Sequence, residues 1–296
     1  MNAGGNAEGS ATESRTADLR QWIGKTESAS DIITATPYAA LAATLDRPAA
    51  RPATGTPLPP LWHWLYFLPL YCQSDVGPDG HAERGGFLPP VLLPRRMWAG
   101  SQFEFSRALC IGDTVTRRST IVDVTEKRGR SGALVFVKVR HEIRRAAEPL
   151  PALIEFHDLV YRDAPTAGGS APPPTIAPTT SLWERTISPD PVLLFRYSAL
   201  TFNGHRIHYD RSYATEVEGY PGLVVHGPLI ATLLLDLLRR EMPAADVTRF
   251  QFRAIRPLFD LESFSVCGSP SDGKTVQLWA RDHEGWLAMD ATAVLR

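Results

Sequence analysis

Several short stretches of this chain alternate apolar and polar residues, or run in β-branched residues, and each is bounded by turn formers. "TVTRRSTIVDV" (114–124) alternates over part of its length, and "ALVFVKVRHEI" (133–143) is rich in β-branched positions. Gly129 and Gly132 supply a turn between them, so the pattern predicts two antiparallel strands. Near the C-terminus "VTRFQFRAI" (247–255), "LESFSVCG" (261–268), "TVQLWARD" (275–282) and "WLAMDATAVL" (286–295) repeat the pattern. Asp272-Gly273 and Glu284-Gly285 punctuate the last three as hairpin turns.

Two segments carry helix signals instead. In "HGPLIATLLLDLLRREMP" (226–243), Pro228 suits the first helical position, where its missing N–H removes no intrahelical bond. Leucines and Ile230 then cover the helix nearly all round, which predicts burial, most simply inside a curved sheet. Arg239 and Arg240 sit at its negative end and Pro243 stops it. Upstream, Asp190 is a candidate cap and Pro191 a candidate start for a second helix. That helix should leave through a left-handed residue at Asn203-Gly204, with His205 and His208 on the loop beyond.

The two halves of the chain follow a similar order, a helix-compatible region and then strands. "FEFSRALCIGD" (103–113) and "FQFRAIRPLFD" (250–260) share the form F-x-F-x7-D, offset by the same 147 residues (103 to 250, 113 to 260). Together with the common order of elements, the repeat favours duplication of one α+β unit. A proline- and glycine-rich stretch without apolar period, "DAPTAGGSAPPPTIAPTTS", separates the units. The expected division is a disordered tail over 1–17, a first unit over 18–160, a linker over 161–181 and a second unit over 182–296.

Composition changes this picture little. Lysine plus arginine number 31 against 32 acidic residues, so no global field recruits nucleic acid or an anionic membrane. The three cysteines, Cys72, Cys110 and Cys267, are odd in number, far apart and without a CxxC pair. They exclude a disulfide framework and a cysteine metal cage, and fit a reducing cytosol. Residues 1–17 lack an apolar core, so they do not read as a secretory signal, and no apolar run approaches the ~20 residues of a membrane-spanning helix. A cytoplasmic protein is expected.

Chemistry concentrates in "TFNGHRIHYD" (201–210). His205, His208 and Asp210 are metal-ligand types, but the further ligands of a zinc site and any HExxH or paired-cysteine pattern are missing, so no metal is expected. A lone loop histidine is most often solvent-facing or structurally bonded, and that reading is taken for His63, His81, His141, His157 and His283. His208 differs because "GYPGLVVHGP" (219–228) follows closely and leads into the buried helix. Unpaired N–H groups at that helix start, with Gly227 allowing close approach, would offer a donor to a ligand oxygen. A base beside such a donor is what carbonyl chemistry requires.

"YSALTFNGHRIHYDRSYA" followed by "YPGLVVHGPLIATLLLD" resembles the hydratase motif of MaoC-like (R)-specific enoyl-CoA hydratases. The resemblance is nearest to the branch of type-2 hydroxyacyl-thioester dehydratases and mesaconyl-C4-CoA hydratases, and the first half resembles the FAS1-like dehydratase region of that branch. It implies a double hot-dog fold of class α+β, two units each with a long helix wrapped by an antiparallel sheet. The family pattern has an aspartate five residues before the histidine and a small residue six after it. Here those positions hold Asn203 and Ala214, with Arg206 replacing the usual proline.

What the resemblance implies is a hydro-lyase that interconverts a 2-enoyl and a 3-hydroxyacyl thioester. His208 would serve as base and then acid, Asn203 would help hold the water, and Gly227 N–H would stabilise the enolate oxygen. Asn203 cannot itself exchange protons at neutral pH. Asp210 is a candidate to fix the ring of His208, and His226 to orient the loop. Arg196, Arg206 and Arg211 point to a carboxylate on the acyl group, such as a C5 diacid. His205, Arg206, His226, Arg95 and Arg96 are the expected substrate-binding residues, the last two either meeting coenzyme A phosphates or being a solvated pair. The first unit has no counterpart of this site; Trp62, Trp64, Tyr66 and Phe67 either line a tunnel there or form plain core. No cofactor is called for, because the substrate arrives as a coenzyme A thioester, and a homodimer is left open. The competing readings are a dehydratase acting on acyl carrier protein, a non-catalytic acyl-CoA-binding module and a thioesterase.

Overall fold

The computed structural model describes residues 18–48, 51–83, 85–129, 132–146, 148–163 and 173–296. The expected tail over 1–17 and the middle of the linker lie outside the described residues. The first half contributes β1 (Thr26–Ile32), α1 (Ala35–Thr44), β2 (Arg95–Phe105), β3 (Thr114–Gly129), β4 (Gly132–Arg145) and β5 (Leu153–Arg162). The second contributes β6 (Trp183–Ile187), α2 (Pro191–Thr201), α3 (Gly227–Glu241), β7 (Val247–Ala254), β8 (Phe264–Pro270), β9 (Thr275–Arg281) and β10 (Leu287–Leu295).

All ten strands join one antiparallel sheet in the order β1-β3-β4-β5-β2-β7-β10-β9-β8-β6. Each half uses the same internal order, and the two meet where β2 pairs with β7. At that seam Phe103 lies directly opposite Phe250, the leading phenylalanines of the sequence repeat, with ring centroids 5.9 Å apart. The repeat is therefore the trace of a pseudo-twofold axis between the halves, and both rings are fully buried. This is the double hot-dog architecture.

The predicted strands are present, with β8 starting three residues later than expected, at Phe264. Four strands were not predicted: β1, β2, β5 and β6. β1 and β6 are the edges of the sheet; β1 is exposed at most positions, so no apolar alternation marks it. Helix α3 packs chiefly on β8, and every residue from Leu229 to Leu238 is buried.

One of those residues is Asp236, whose side chain is fully buried. Its carboxylate accepts from Arg240 Nε at 2.7 Å, Arg185 Nη1 at 3.2 Å and Arg239 Nη2 at 3.3 Å, and also from Arg47 Nε. Arg239 and Arg240 thus do more than face the helix dipole. With Arg47 from the first half, they surround a carboxylate that has no exposed surface of its own.

The first half departs from the expected pair of long helices. Its only α-helix among the described residues is the ten-residue α1, which packs on α2. A short 3₁₀ turn, Trp62–Leu65, packs on α1 and α2. Pro57, Pro59, Pro60 and Pro69 flank this segment and prevent a long helix there. Leu61 and Phe67 bracket the turn with left-handed φ of 70° and 54°, conformations held by packing. Trp62, Tyr66 and Phe67 are buried core side chains, and Trp64 donates to Glu155 at 3.1 Å.

Candidate active site

The loop of interest starts where α2 ends. Asp190 Oδ1 accepts from the N–H groups of Val192 and Leu193 at 2.7 and 3.0 Å, capping α2 behind Pro191. At the other end Phe202, not Asn203 or Gly204, takes the left-handed conformation, with φ of 50°. Asn203 N–H then closes onto Ser198 C=O at 2.8 Å. Its side-chain Oδ1 accepts from His205 N–H at 3.1 Å, an Asx turn that fixes the amide and leaves its NH₂ group to donate elsewhere.

A single 3₁₀ turn, Arg206–His208, carries His208 inward to a buried position. Its Nδ1 donates to Val224 C=O at 2.7 Å. That bond sets the tautomer, so Nε2 carries the lone pair. Burial pushes the His208 pKa down to about 4, against the bond to Val224, which favours the charged ring. At neutral pH the group is an uncharged base. Val224, not Asp210, orients this ring; Asp210 is bound to Arg206 and to Tyr213 N–H.

His226 supports His208 from behind. The two imidazoles stack with centroids 3.7 Å apart and planes 18° from parallel. His226 is wholly buried and its Nε2 is 2.8 Å from Ser198 Oγ. Burial first, then the neighbouring imidazoles, hold its pKa well below the ordinary value. It also stands at the N-cap of α3, so the next residue, Gly227, presents the first free helix amide. A methyl group added at Gly227 would meet no atom within 4 Å. The backbone of Gly227 is thus open on its side-chain side.

The loop before α3 is held by the repeat aspartate. Asp260 Oδ1 accepts from Leu223 N–H at 2.9 Å, and its other oxygen takes Arg211. Val225 N–H donates to Leu258 C=O at 2.8 Å. The acceptor for His208 and the amide of Gly227 are thereby fixed to one rigid segment.

The first half reaches this site through a turn that the sequence reading left unassigned. Residues 76–82 form a tight hairpin, with Gly77 N–H donating to His81 C=O at 2.7 Å. Gly80, at φ +88°, lies so close to Gly204 that a Cβ there would fall 1.9 Å from the Gly204 carbonyl oxygen. Arg206 fastens the contact: its N–H donates to Asp79 C=O at 2.9 Å and its Nη1 to Pro78 C=O at 3.0 Å. Its remaining donors hold Asp210, and the guanidinium lies 4.2 Å from the Tyr213 ring centroid. Arg206 therefore joins the two halves; it is not a free cation for substrate.

His205, expected at the substrate, meets this hairpin. Its ring is 4.2 Å from that of His81 and 5.4 Å from that of His208. Burial, then the charge of His81, pushes its pKa down to about 2. Asp79 Oδ2 accepts from His81 Nδ1 at 3.0 Å; burial opposes ionisation of this carboxyl, but the bond and charge of His81 hold it below the usual carboxylate range. The residues His205, His208 and Asp210 do not converge as ligands, whereas Asp79, His81 and His205 do. "GPDGH" (77–81) is legible as a turn, but nothing in it announces a partner 128 positions away.

Of the arginine pair, Arg95 is committed, donating to Glu218 C=O at 2.6 Å and lying over Tyr220. Arg96 has no ion pair among the described residues, and its charge acts on Tyr71 and His205. Arg211 is neutralised by Asp260, whereas exposed Arg196 has no ion pair among the described residues. Three other histidines read as ordinary meet inside the first half. Buried Glu155 accepts from His63 Nε2 at 3.0 Å and from His157 Nε2, while His141 Nδ1 is 2.9 Å from Ser119 Oγ.

Comparison with known proteins accords with this geometry. The chain is 47% identical over 280 residues to mesaconyl-C(4)-CoA hydratase of Chloroflexus aurantiacus, covering 94% of this chain and 98% of that protein. It is 29% identical over 250 residues to the mitochondrial hydroxyacyl-thioester dehydratase type 2 of Schizosaccharomyces pombe, covering 76% and 80%. Among solved structures, HtdX of Mycobacterium tuberculosis superposes with a TM-score of 0.64 at 18% identity over 90% of this chain and 98% of that one, a likeness of fold. The sequence profile of hydroxyacyl-thioester dehydratase type 2 matches residues 61–260, and the chain belongs to that family.

Proposed function

We propose that this protein is a hydro-lyase acting on a branched, dicarboxylic 2-enoyl-CoA of the mesaconyl-C4 type. The observation that carries this reading is the near full-length similarity to mesaconyl-C(4)-CoA hydratase, combined with a neutral His208 oriented by Val224, three residues before Gly227, and an Asn203 amide fixed on the same loop. In the hydration direction the Asn203 NH₂ group donates to the attacking water. His208 Nε2 takes one proton from that water as its oxygen bonds to C3 of the enoyl thioester. Charge moves to the thioester oxygen, where Gly227 N–H donates to the developing enolate. The imidazolium formed on His208 then gives its proton to C2, which completes the addition of one water.

Arg96 and Arg196 are the cations left for a carboxylate or phosphate of the substrate, since Arg95, Arg206 and Arg211 are already paired, and of the two it is Arg96 whose charge reaches His205. The first half supplies no acid or base to this chemistry; its hairpin packs against the loop that carries His205 and His208. Three free cysteines fit a reducing compartment such as the cytosol. To test the reading, the protein is incubated with a panel of enoyl-CoAs, monoacid and diacid, and the conjugated-thioester absorbance is followed. Loss of absorbance that is fastest with the branched diacid supports it. No hydration of any member, with acyl-CoA still bound, would point to a binding module instead.

A further inference from the structure

We propose that Asp79, His81 and His205 form a binding site for a zinc-class divalent ion, and that an ion bound there slows turnover by tying the first-half hairpin to the catalytic loop. The three side chains present one ligand atom each, all within 4.8 Å of one another. Two ligands sharing a tetrahedral ion with bonds of ~2.0–2.1 Å sit ~3.3 Å apart, so the trio needs only small side-chain rotations to close on one. Asp79 Oδ2 and His81 Nδ1 are already 3.0 Å apart. Two imidazoles and a carboxylate, with a position left for water, are ligand types that suit zinc and cobalt better than magnesium or calcium.

Rigidity separates this trio from a chance surface cluster. Asp79 and His81 flank the tip of a hairpin closed by the Gly77–His81 and Gly80–Gly77 backbone bonds at 2.7 and 2.9 Å. The third ligand comes from the other half of the chain, where Gly204 packs against Gly80 and Arg206 N–H holds Asp79 C=O. Backbone contacts on both sides thus fix the spacing between ligands. Asp79 supplies one negative charge, while the charge of Arg96 reaches His205 and opposes a cation, which argues for reversible rather than permanent occupancy.

The link to turnover follows from position. His205 lies between Asn203, which accepts from its N–H, and His208, whose ring is 5.4 Å away. An ion on His205 would tie the loop that carries both groups to the first-half hairpin and restrict its movement.

The experiment titrates the metal-free protein with Zn²⁺ by calorimetry and with Co²⁺ by visible absorption, using the parent, Asp79→Asn and His81→Ala. Enoyl-CoA hydration is measured with and without one equivalent of Zn²⁺ for each. The expected result is one ion per chain in the parent, affinity at least ~10-fold weaker in both variants, and a Zn²⁺-dependent fall in turnover in the parent alone. Each variant is compared with itself, so a change in its basal rate does not affect the readout. No stoichiometric binding, binding undiminished in both variants, or a bound ion that leaves turnover unchanged would overturn the proposal. The binding arm stands whether or not the hydratase reading holds, so the two failures are distinguishable.

Discussion

His208 donates its Nδ1 proton to the carbonyl oxygen of Val224 across 2.7 Å, so the segment leading into α3 fixes the base and the first helix amide together. Val224 sits three residues before Gly227, and Asp260 holds the same segment through Leu223. In the proposed mechanism, proton transfer and oxyanion stabilisation would share this one support. The Asn203 amide, positioned by α2 and the Asx turn, approaches from a second element.

The depressed pKa of His208 has two consequences with acid. Between the ordinary value of 6.5 and about 4, the unfolded chain binds a proton at this residue and the folded chain does not. Stability contributed by the neutral ring is thus full above the unfolded value and lost as pH falls through that window. Thermal unfolding should show Tm declining from pH 7 to pH 4.5, less steeply in His208→Ala. The acid limb of kcat/KM should lie near pH 4 to 5; a limb at 6.5 would mean the ring is solvated in the working enzyme.

Glycine substitutions distinguish space from support. Gly227→Ala adds a methyl where nothing stands within 4 Å, so the fold should keep its Tm while kcat/KM falls about 10-fold or more through steric conflict with the thioester. Gly80→Ala forces a β-carbon into the Gly204 carbonyl at a positive φ, so it should lower both Tm and turnover. Full activity in Gly227→Ala would place the thioester oxygen elsewhere.

Asn203→Asp keeps an acceptor for His205 N–H and restores the carboxylate usual in the family. Its charge should raise the His208 pKa and move the acid limb of the rate profile upward, with reduced but measurable turnover. Asn203→Ala removes both the Asx turn and the NH₂ donor and should be slower still. If alanine at 203 equals the parent at every pH, another group holds the water.

Asp236 should matter to folding and not to chemistry. Four arginines converge on its fully buried carboxylate, and Asp236→Ala would leave their crowded charges without the anion they share. Removing one member of such a cluster typically costs about 3–5 kcal/mol. Chemical denaturation of the variant, read against turnover per folded molecule, checks the separation.

How much of this was legible depended on the range of the interaction. Helix α3 was plain because leucines cover it nearly all round, and the F-x-F-x7-D repeat pointed to a duplicated unit, though not to the seam where its phenylalanines, Phe103 and Phe250, face each other. Edge strand β1 was missed because an exposed edge needs no apolar alternation, and β6 because five residues with Glu184 and Arg185 at their centre carry too short a pattern. The long helix expected in the first half failed because prolines surround Trp62–Leu65 and aromatic side chains fill the space. In the site, His208 stood out from its motif. Its acceptor is a backbone carbonyl, however, which has no sequence signature, so Asp210 was assigned in its place. Arg206 was read as a substrate ligand because its partners Pro78 and Asp79 lie in the other half.

The central claim is that His208 moves the protons of hydration. The measurement that tests it most directly is the rate of absorbance loss with mesaconyl-C4-CoA for His208→Ala against the parent, on protein shown to be folded. A fall of roughly 10²–10⁴ is predicted, the usual span for general acid–base catalysis, with a smaller fall for His205→Ala. Turnover near that of the parent in folded His208→Ala would contradict it.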